Sequence, residues 1–144
     1  MADSNPLHAV VFRVGGLVCA LPAAHVREIL PAGMATRIPG VPPAVRGLIN
    51  VRGALVTTID AHALLRQPAS GEEGAMLLLD RSGRGTGLIV GEVLDFLEVP
   101  AAAVAGRDAL PGVDPAVVRA VGDWSGRRFI LLDLDALLAP FLGA

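Results

Sequence analysis

Residues 53–65 read GALVTTIDAHALL, and residues 126–138 repeat the pattern as GRRFILLDLDALL. Each copy starts with glycine, continues through an apolar run and reaches an aspartate before a second short apolar segment. An apolar run after a turn residue predicts a β-strand. Aspartate is a preferred N-cap residue, so its position predicts the start of a short helix. The same strand–helix unit is therefore expected twice.

The repeat extends outward from these two copies. Residues 38–45 (IPGVPPAV) recur as residues 110–117 (LPGVDPAV), and residues 16–20 (GLVCA) recur as residues 87–91 (GLIVG). Three matches in the same order, at offsets of 71 to 73 residues, indicate two related halves. We place these halves at about 7–66 and 75–141, joined by the polar segment 67–74.

The two halves predict the fold class. Each opens with two apolar runs around a glycine turn, which is typical of a β-hairpin. Many short strands between Gly and Pro residues favour small barrels or a sandwich over a parallel sheet. We therefore expect a mostly β, single domain over 7–141, made of two subdomains that share one hydrophobic core. Strand alternation places these side chains inside: Leu55, Ile59, Leu77, Leu79, Ile89, Phe129 and Leu131.

One segment predicts a helix. Pro22 stands where a first helical turn tolerates proline. Val26, Ile29 and Leu30 then follow at the spacing of one apolar helix face. The sequence therefore predicts a helix over residues 22–30.

Composition narrows the class of protein. The chain has 144 residues, of which 53% are hydrophobic and 18% charged, so it can bury a sizeable core and is not a disordered chain. The longest apolar run, at about 14–24, is shorter than the roughly 18 residues that a membrane span needs. No basic residue precedes the first apolar run, as a secretory signal would require. We expect a cytoplasmic protein without membrane insertion.

Charge is distributed unevenly between the halves. Residues 1–70 hold six arginines and three acidic residues, whereas residues 71–144 hold six arginines and eleven acidic residues. A basic first half and an acidic second half can orient a protein–protein contact; an accidental asymmetry of the solvated surface is the alternative. The overall net charge of −2 gives no reason to expect nucleic acid as a partner.

The residue types that carry catalysis or metal binding are sparse. A single cysteine, Cys19, excludes an internal disulfide and a multi-thiolate metal site, and its apolar neighbours predict a buried side chain. His8, His25 and His62 are too far apart for a local metal pattern, and each is expected to be at the surface or half-buried. No serine lies in a Gly-x-Ser-x-Gly elbow. We expect no catalytic residue, no metal, no cofactor and no enzyme activity.

A turn in the first half remains to be explained. Residues 48–55 read LINVRGAL, while the corresponding residues 122–126 read GDWSG and keep only the turn. A requirement of the fold should appear in both halves, so Asn50 and Arg52 indicate a contact with a partner. An ordinary solvated arginine at a turn is the alternative.

Together these residues resemble the CheW-like coupling proteins of bacterial chemosensory arrays. The resemblance spans roughly residues 9–141. Its most specific element is the Asn50-Val-Arg52-Gly53 turn followed by Ile59-Asp60. The other matching segments are FRVGGLVCALP at 12–22, VREI at 26–29, RIP at 37–39, PAVRG at 43–47, GEV at 91–93, VP at 99–100 and FILLD at 129–133.

The resemblance implies a fold and a function. The implied fold is two five-stranded, SH3-like β-barrels on a shared core. The implied protein is a non-enzymatic scaffold that bridges the cytoplasmic tip of methyl-accepting chemoreceptors to the regulatory domain of a CheA-type histidine kinase. Relatives of this kind also serve type IV pilus and other non-flagellar systems. A small-ligand or nucleic-acid-binding module on a similar barrel is the alternative class.

The resemblance also implies partner-binding residues. Asn50, Arg52 and Gly53 occupy the signature turn of the family. Val26, Glu28 and Ile29 occupy a segment that contributes to receptor contact in relatives. These six residues form the predicted site.

Overall fold

The computed structural model describes residues 6–33, 35–68, 74–80, 85–100, 104–105, 113–124 and 126–142. The helices and strands in these ranges, in chain order, are β1 (Leu7–Val14), β2 (Leu17–Pro22), β3 (Val26–Pro31), β4 (Val45–Val51), β5 (Ala54–Asp60), α1 (Ala61–Leu64), β6 (Ala75–Leu79), β7 (Gly85–Val90), β8 (Glu92–Val99), β9 (Val104–Ala105), β10 (Val118–Trp124), β11 (Arg127–Leu132) and α2 (Leu134–Leu142). The expected mostly β architecture with a few short helices is confirmed.

The described strands form two sheets with matching strand orders. One sheet has the order β8-β1-β2-β11-β10-β9, and the other has the order β3-β6-β7-β5-β4. The five-stranded sheet repeats the order of the first five strands of the six-stranded sheet. Its strands β3, β6, β7, β5 and β4 correspond through the repeat to β8, β1, β2, β11 and β10. The match includes the sheet ends, because Thr36 bridges to Leu48 of β4 much as β9 pairs with β10. The internal repeat is therefore a repeat of structure.

The two halves exchange their opening hairpins. The hairpin β1–β2 from the first half lies in the sheet that the second half otherwise builds, where β2 pairs in parallel with β11. The hairpin β6–β7 from the second half lies in the other sheet, where β7 pairs in parallel with β5. Neither sheet is complete without strands from both halves. Most of the predicted linker, residues 69–73, lies outside the described residues.

Buried apolar side chains of the described residues form three clusters. The largest takes buried side chains from both sheets and both helices, including Phe12, Ile59, Leu77 and Leu138. A second cluster lies on the other face of the six-stranded sheet, around Phe129. The third lies on the other face of the five-stranded sheet. Both sheets therefore contribute to one core, while each also covers a smaller cluster of its own.

An aspartate caps the first turn of each helix. Asp60 Oδ1 accepts a hydrogen bond from the backbone N–H of His62 at 2.9 Å. Asp133 Oδ1 accepts one from the backbone N–H of Ala136 at 3.1 Å. The side-chain oxygen pairs a donor that has no partner within the helix. The predicted capping role is confirmed at both positions.

The predicted helix over 22–30 is wrong. A single 3₁₀ turn at Ala23–His25 is followed by the strand β3, which pairs with β6 along the edge of the sheet. The register of this pairing shifts between Val26 and Glu28. Such a bulge interrupts the two-residue alternation of a strand, which is why the apolar spacing of the segment imitates a helix.

The predicted burial holds for every listed core residue except Leu55, which is 64% exposed. Leu55 is the second residue of β5, directly after the turn that joins β4 to β5. Ile59 lies on the same face four residues later and is 1% exposed. The start of β5 extends past the end of the main core, so the same strand face is buried at one end and exposed at the other.

Truncation of a buried apolar side chain and truncation of an exposed one should change the free energy of unfolding by different amounts. Phe129→Ala should lower the free energy of unfolding by about 3–5 kcal/mol, because it empties the space of a buried aromatic ring. Leu55→Ala should change it by no more than about 0.5 kcal/mol. Urea denaturation of both variants measures this, and a similar loss for both would contradict the assigned burial.

The hairpin exchange predicts the behaviour of separated halves. Fragments cut within 69–73 should each lack stable tertiary structure, because each sheet needs strands from both fragments. Mixed at equal concentration, the two fragments should assemble and recover the near-ultraviolet circular dichroism of the intact chain. Independent folding of either fragment would contradict the reciprocal pairing of β2 with β11 and of β7 with β5.

Candidate functional site

The turn between β4 and β5 is a two-residue hairpin turn. Val51 pairs with Ala54, and the intervening Arg52 and Gly53 have φ angles of +51° and +88°. Positive φ at both central positions is the signature of a type I′ turn, which matches the twist of the strands. The backbone N–H of Gly53 donates to Asn50 Oδ1 at 2.8 Å. Asn50 and Gly53 therefore shape the turn itself.

Arg52 forms a two-point contact with Glu28. Its two terminal guanidinium nitrogens lie 2.7 Å and 2.5 Å from the two carboxylate oxygens of Glu28. Parallel N–H···O bonds of this kind fix the orientation of both groups. The Arg52 side chain is 68% exposed, and that of Glu28 is 31% exposed. The ion pair therefore lies at the surface, where a partner can reach it.

This contact joins the two edges of the five-stranded sheet. Glu28 belongs to β3 and Arg52 follows β4, and these strands are at opposite ends of the strand order. Leu30 of β3 and Ile49 and Val51 of β4 also pack against one apolar cluster. The sheet therefore curls until its edges meet. This curling agrees with the expected barrel-like subdomain.

The structure brings four of the six predicted site residues together and leaves two aside. Asn50 is hydrogen-bonded to Gly53 and Arg52 to Glu28, and the peptide bond between Arg52 and Gly53 joins the two pairs into one group. Val26 and Ile29 are half-buried and pack against the main core. Their side chains pack between β3 and the main core, and only part of their surface is exposed to solvent.

The ion pair shifts the pKa values of both of its members. The hydrogen bonds from Arg52 hold the pKa of the Glu28 carboxyl below its ordinary value. The same hydrogen bonds raise the pKa of the Arg52 guanidinium. Both groups are therefore charged at neutral pH, and each neutralises the other.

A polar cluster of Arg46, Asp60 and His62 lies at the other end of β5, and the sequence did not reveal it. Asp60 and His62 are buried, whereas the Arg46 side chain is 50% exposed. Asp60 Oδ2 accepts from Arg46 Nε and Nη2 at 3.2 Å and 3.0 Å, while Asp60 Oδ1 lies 2.9 Å from His62 Nδ1. Burial alone would raise the pKa of Asp60, but the hydrogen bonds from His62 and Arg46 outweigh it and lower that pKa. His62 is 6% exposed, so the expectation of a surface or half-buried side chain is wrong at this position.

The two largest exposed apolar side chains of the described residues lie on different sheets. Leu55 follows the Arg52 turn, and Phe96 lies on β8; each is 64% exposed. Phe96 has exposed acidic neighbours on the same strand, namely Glu92, Asp95 and Glu98. The described surface therefore presents one apolar residue near arginine and one among carboxylates.

Cys19 is fully buried within the main core, as its apolar neighbours predict. Burial raises the pKa of its thiol to about 12. Such a thiol is protonated at neutral pH and is a poor nucleophile. No helix in the described ranges is long and apolar enough to cross a membrane.

Comparison with known proteins places the chain in a family. A family model described as the CheW-like domain matches residues 8–140. The chain belongs to the CheW-like family. This CheW-like domain is 32% identical over 136 residues to the chemotaxis protein CheW of Rhizobium meliloti, covering 89% of this chain and 84% of that protein. It is 27% identical over 138 residues to CheW of Klebsiella aerogenes, covering 90% and 80% of the two chains.

The fold of this CheW-like domain also matches a solved structure. The crystal structure of the scaffolding protein TtCheW from Thermoanaerobacter tengcongensis aligns with a TM-score of 0.84 over 92% of both chains, at 23% identity. The two-sheet architecture is therefore that of a CheW protein. The sequence resemblance and its implied fold are confirmed.

The Glu28 carboxyl offers a direct test of the ion pair. Its pKa should lie below the ordinary value of about 4.3 and should return toward that value in Arg52→Asn, which keeps a residue tolerant of positive φ at the turn. Because this pKa is lowered, the pair stabilises the fold above the ordinary pKa and loses its effect as pH falls through the folded-state pKa. Carboxyl-detected NMR titration measures both values, and an unchanged pKa in Arg52→Asn would contradict the contact.

Proposed function

We propose that this protein is a non-enzymatic cytoplasmic scaffold that couples methyl-accepting chemoreceptors to a CheA-type histidine kinase. Membership of the CheW-like family supports this proposal. The observation that carries it is the ion pair of Arg52 with Glu28. The pair connects the two segments that the family resemblance implies as partner-binding, the turn at 50–53 and the strand at 26–29.

Arg52 occupies its position against local preference. A non-glycine residue with φ near +51° is uncommon, and glycine, asparagine or aspartate fit a type I′ turn better. Strain of this kind costs on the order of 1 kcal/mol and is concentrated at functional sites. The equivalent turn of the second half carries no arginine. These observations support a role for Arg52 in contact with a partner.

The exposed ion pair supports a specific mode of recognition. A guanidinium has further N–H donors beyond the two that face Glu28. A partner carboxylate or backbone carbonyl can therefore bind Arg52 while Glu28 holds the guanidinium in place. Leu55, which is exposed directly after the turn, adds an apolar contact beside it. We propose that Asn50 and Gly53 position Arg52 by shaping the turn. Val26 and Ile29 position Glu28 by packing β3 against the main core.

A second output system also has support. The chain is 33% identical over 91 residues to Protein PilI of Pseudomonas aeruginosa and 34% identical over 104 residues to Protein FrzA of Myxococcus xanthus. These relatives favour a coupling protein of a type IV pilus or other non-flagellar chemosensory system as the second candidate. The same scaffold function applies to both candidates. Small-ligand or nucleic-acid binding as the principal function gains no support from the family.

Charge reversal at Arg52 tests the proposal. Arg52→Glu should weaken binding to a chemoreceptor cytoplasmic fragment or to the kinase regulatory domain at least tenfold, because like charges then face an acidic partner group. The double variant Glu28→Arg with Arg52→Glu restores the internal ion pair in reverse. Its binding should stay weak, while its thermal midpoint returns to that of the natural chain. Isothermal titration calorimetry and thermal unfolding measure the two quantities.

Arg128→Glu is the matched control, since Arg128 is an exposed arginine on the equivalent hairpin of the other sheet. It should not weaken the interaction that Arg52→Glu weakens. Unchanged binding of Arg52→Glu to both partners would remove Arg52 from the site. Full recovery of binding in the charge-swapped double variant would show that the ion pair serves the fold alone.

A further inference from the structure

We propose that two copies of this chain also assemble into a dimer by exchanging halves. In the single chain, hairpin β1–β2 of the first half completes the sheet that holds β8, β10 and β11, and hairpin β6–β7 of the second half completes the sheet that holds β3, β4 and β5. In the dimer, each half makes these contacts with the opposite half of the other copy. The partner is therefore a second copy of this chain, and the surface that it uses is the interface between the halves.

The interface between the halves consists largely of main-chain pairing. Among the nine strand pairings of the described residues, four join one half to the other: β1 with β8, β2 with β11, β3 with β6 and β5 with β7. Backbone hydrogen bonds outside the strands also cross between the halves, such as the one from the N–H of Gly91 to the carbonyl of Arg13 at 2.9 Å. None of these contacts involves the segment that links the halves, so each can form when the halves belong to different copies.

Each opening hairpin lacks a further strand partner in its own half. Apart from each other, β1 and β2 have β8 and β11 as their neighbours, and β6 and β7 have β3 and β5. A hairpin without further strands is at best marginally stable in water. The largest apolar cluster also takes side chains from both halves. Each half therefore requires an opposite half, and the contacts do not specify that it belongs to the same chain.

The link between the halves decides which opposite half is used. Residues 67–74 read QPASGEEG, and a short link holds two attached modules at an effective concentration on the order of 1 mM. The exchanged dimer keeps every contact between the halves, so it competes with the single chain when the chain concentration approaches that value. Exchange of this kind is a low-cost route to a dimer, because it reuses an existing interface.

Both ends of the link are held on the folded halves. Gln67 Oε1 accepts a hydrogen bond from the backbone N–H of Gly16 at 3.0 Å, on the β1–β2 turn of its own half. The carbonyl oxygen of Gly74 accepts one from the N–H of Ala32 at 3.0 Å, directly after β3 of the opposite half. In the single chain the link must satisfy both contacts within one unit, whereas in the dimer its two ends lie in separate units. Shortening the link should therefore favour the exchanged dimer.

The exchanged dimer consists of two complete units. Arg52 and Glu28 both belong to the first half, so each unit keeps one such ion pair. The dimer therefore presents the surface around the Arg52 turn twice. Its separation into single chains requires the shared core to open, so we expect the dimer to persist after dilution.

Refolding at two concentrations tests for the dimer. The full chain, unfolded in urea, should refold to the single chain at about 5 μM and should give a substantial dimer fraction at about 1 mM. A chain that lacks residues 69–73 should form the dimer at a concentration at least about tenfold lower, and a chain in which 69–73 are duplicated is the matched control that should not. Size-exclusion chromatography with light scattering measures the masses. Single chains throughout, for the natural and the shortened chain at the higher concentration, would overturn the proposal.

Paired cysteines distinguish exchange from a surface contact between intact chains. In a Cys19→Ala background, His8→Cys with Glu98→Cys places a disulfide at exposed partners of β1 and β8, and thus between the halves. Asp123→Cys with Arg128→Cys places one at exposed partners of β10 and β11, within the second half. Directly opposite residues of antiparallel strands have Cα atoms at a separation that a disulfide can span.

The two cysteine pairs should behave differently on a denaturing gel without reductant. The purified dimer with cysteines at 8 and 98 should run as a covalent dimer, and its single chain as a covalent monomer. The control pair should run as a monomer from both fractions, because its disulfide stays within one chain. Cys19 with Ile130→Cys is a second pair that joins the halves, since these residues are partners in β2 and β11. A dimer that releases single chains with both pairs that join the halves would overturn the proposal.

Discussion

The apolar cluster that both sheets share holds the rest of the molecule in place. It takes side chains from β1 and β2, from β5 to β7, from β10 and β11 and from both helices. Removal of this area from water is the dominant favourable term in folding. The charged groups described above lie outside it: Arg52 and Glu28 at the edge of the five-stranded sheet, the acidic side chains of β8 on the other sheet, and the capping residues Asp60 and Asp133 at the helix starts. The shared cluster therefore fixes the relative positions of surfaces that are far apart in the sequence.

The two halves show how one architecture carries different surfaces. Their strand orders match, and both keep an aspartate N-cap at the same junction. Their turns differ, since only the first carries arginine, and Asp135 stands where the first half has the buried His62. The architecture constrains the cap and the buried strand residues, and it leaves the turn and the cluster free to change. Differences between repeats are thus a guide to residues that the fold itself does not require.

The parts of this structure that sequence could predict are local. The opening hairpins, the strand before each aspartate and the caps at Asp60 and Asp133 follow from apolar runs, turn residues and N-cap chemistry. The strand β3 was mistaken for a helix, because a bulge near Glu28 gives its apolar residues a helical spacing. The exchange of hairpins, the contact of Glu28 with Arg52 and the cluster around Asp60 depend on pairing between distant strands. No local pattern encodes which strands pair, so Glu28 and Arg52 were predicted as site residues without their contact. Alternation predicts which face of β5 Leu55 occupies but not that the core ends before it, so its exposure does not follow from the sequence.

The reciprocal hairpins also have a consequence for synthesis on the ribosome. Cys19 of β2 pairs with Ile130 of β11. A further 111 residues (130 minus 19) must therefore be synthesised before the first hairpin can pair with β11. At translation rates of about 5–20 residues per second, this delay is roughly 6 to 22 s. During that interval the apolar side chains of β1 and β2 have no complete sheet to join. The nascent first half therefore exposes a strand edge for seconds, and release of the C-terminal strands ends that exposure.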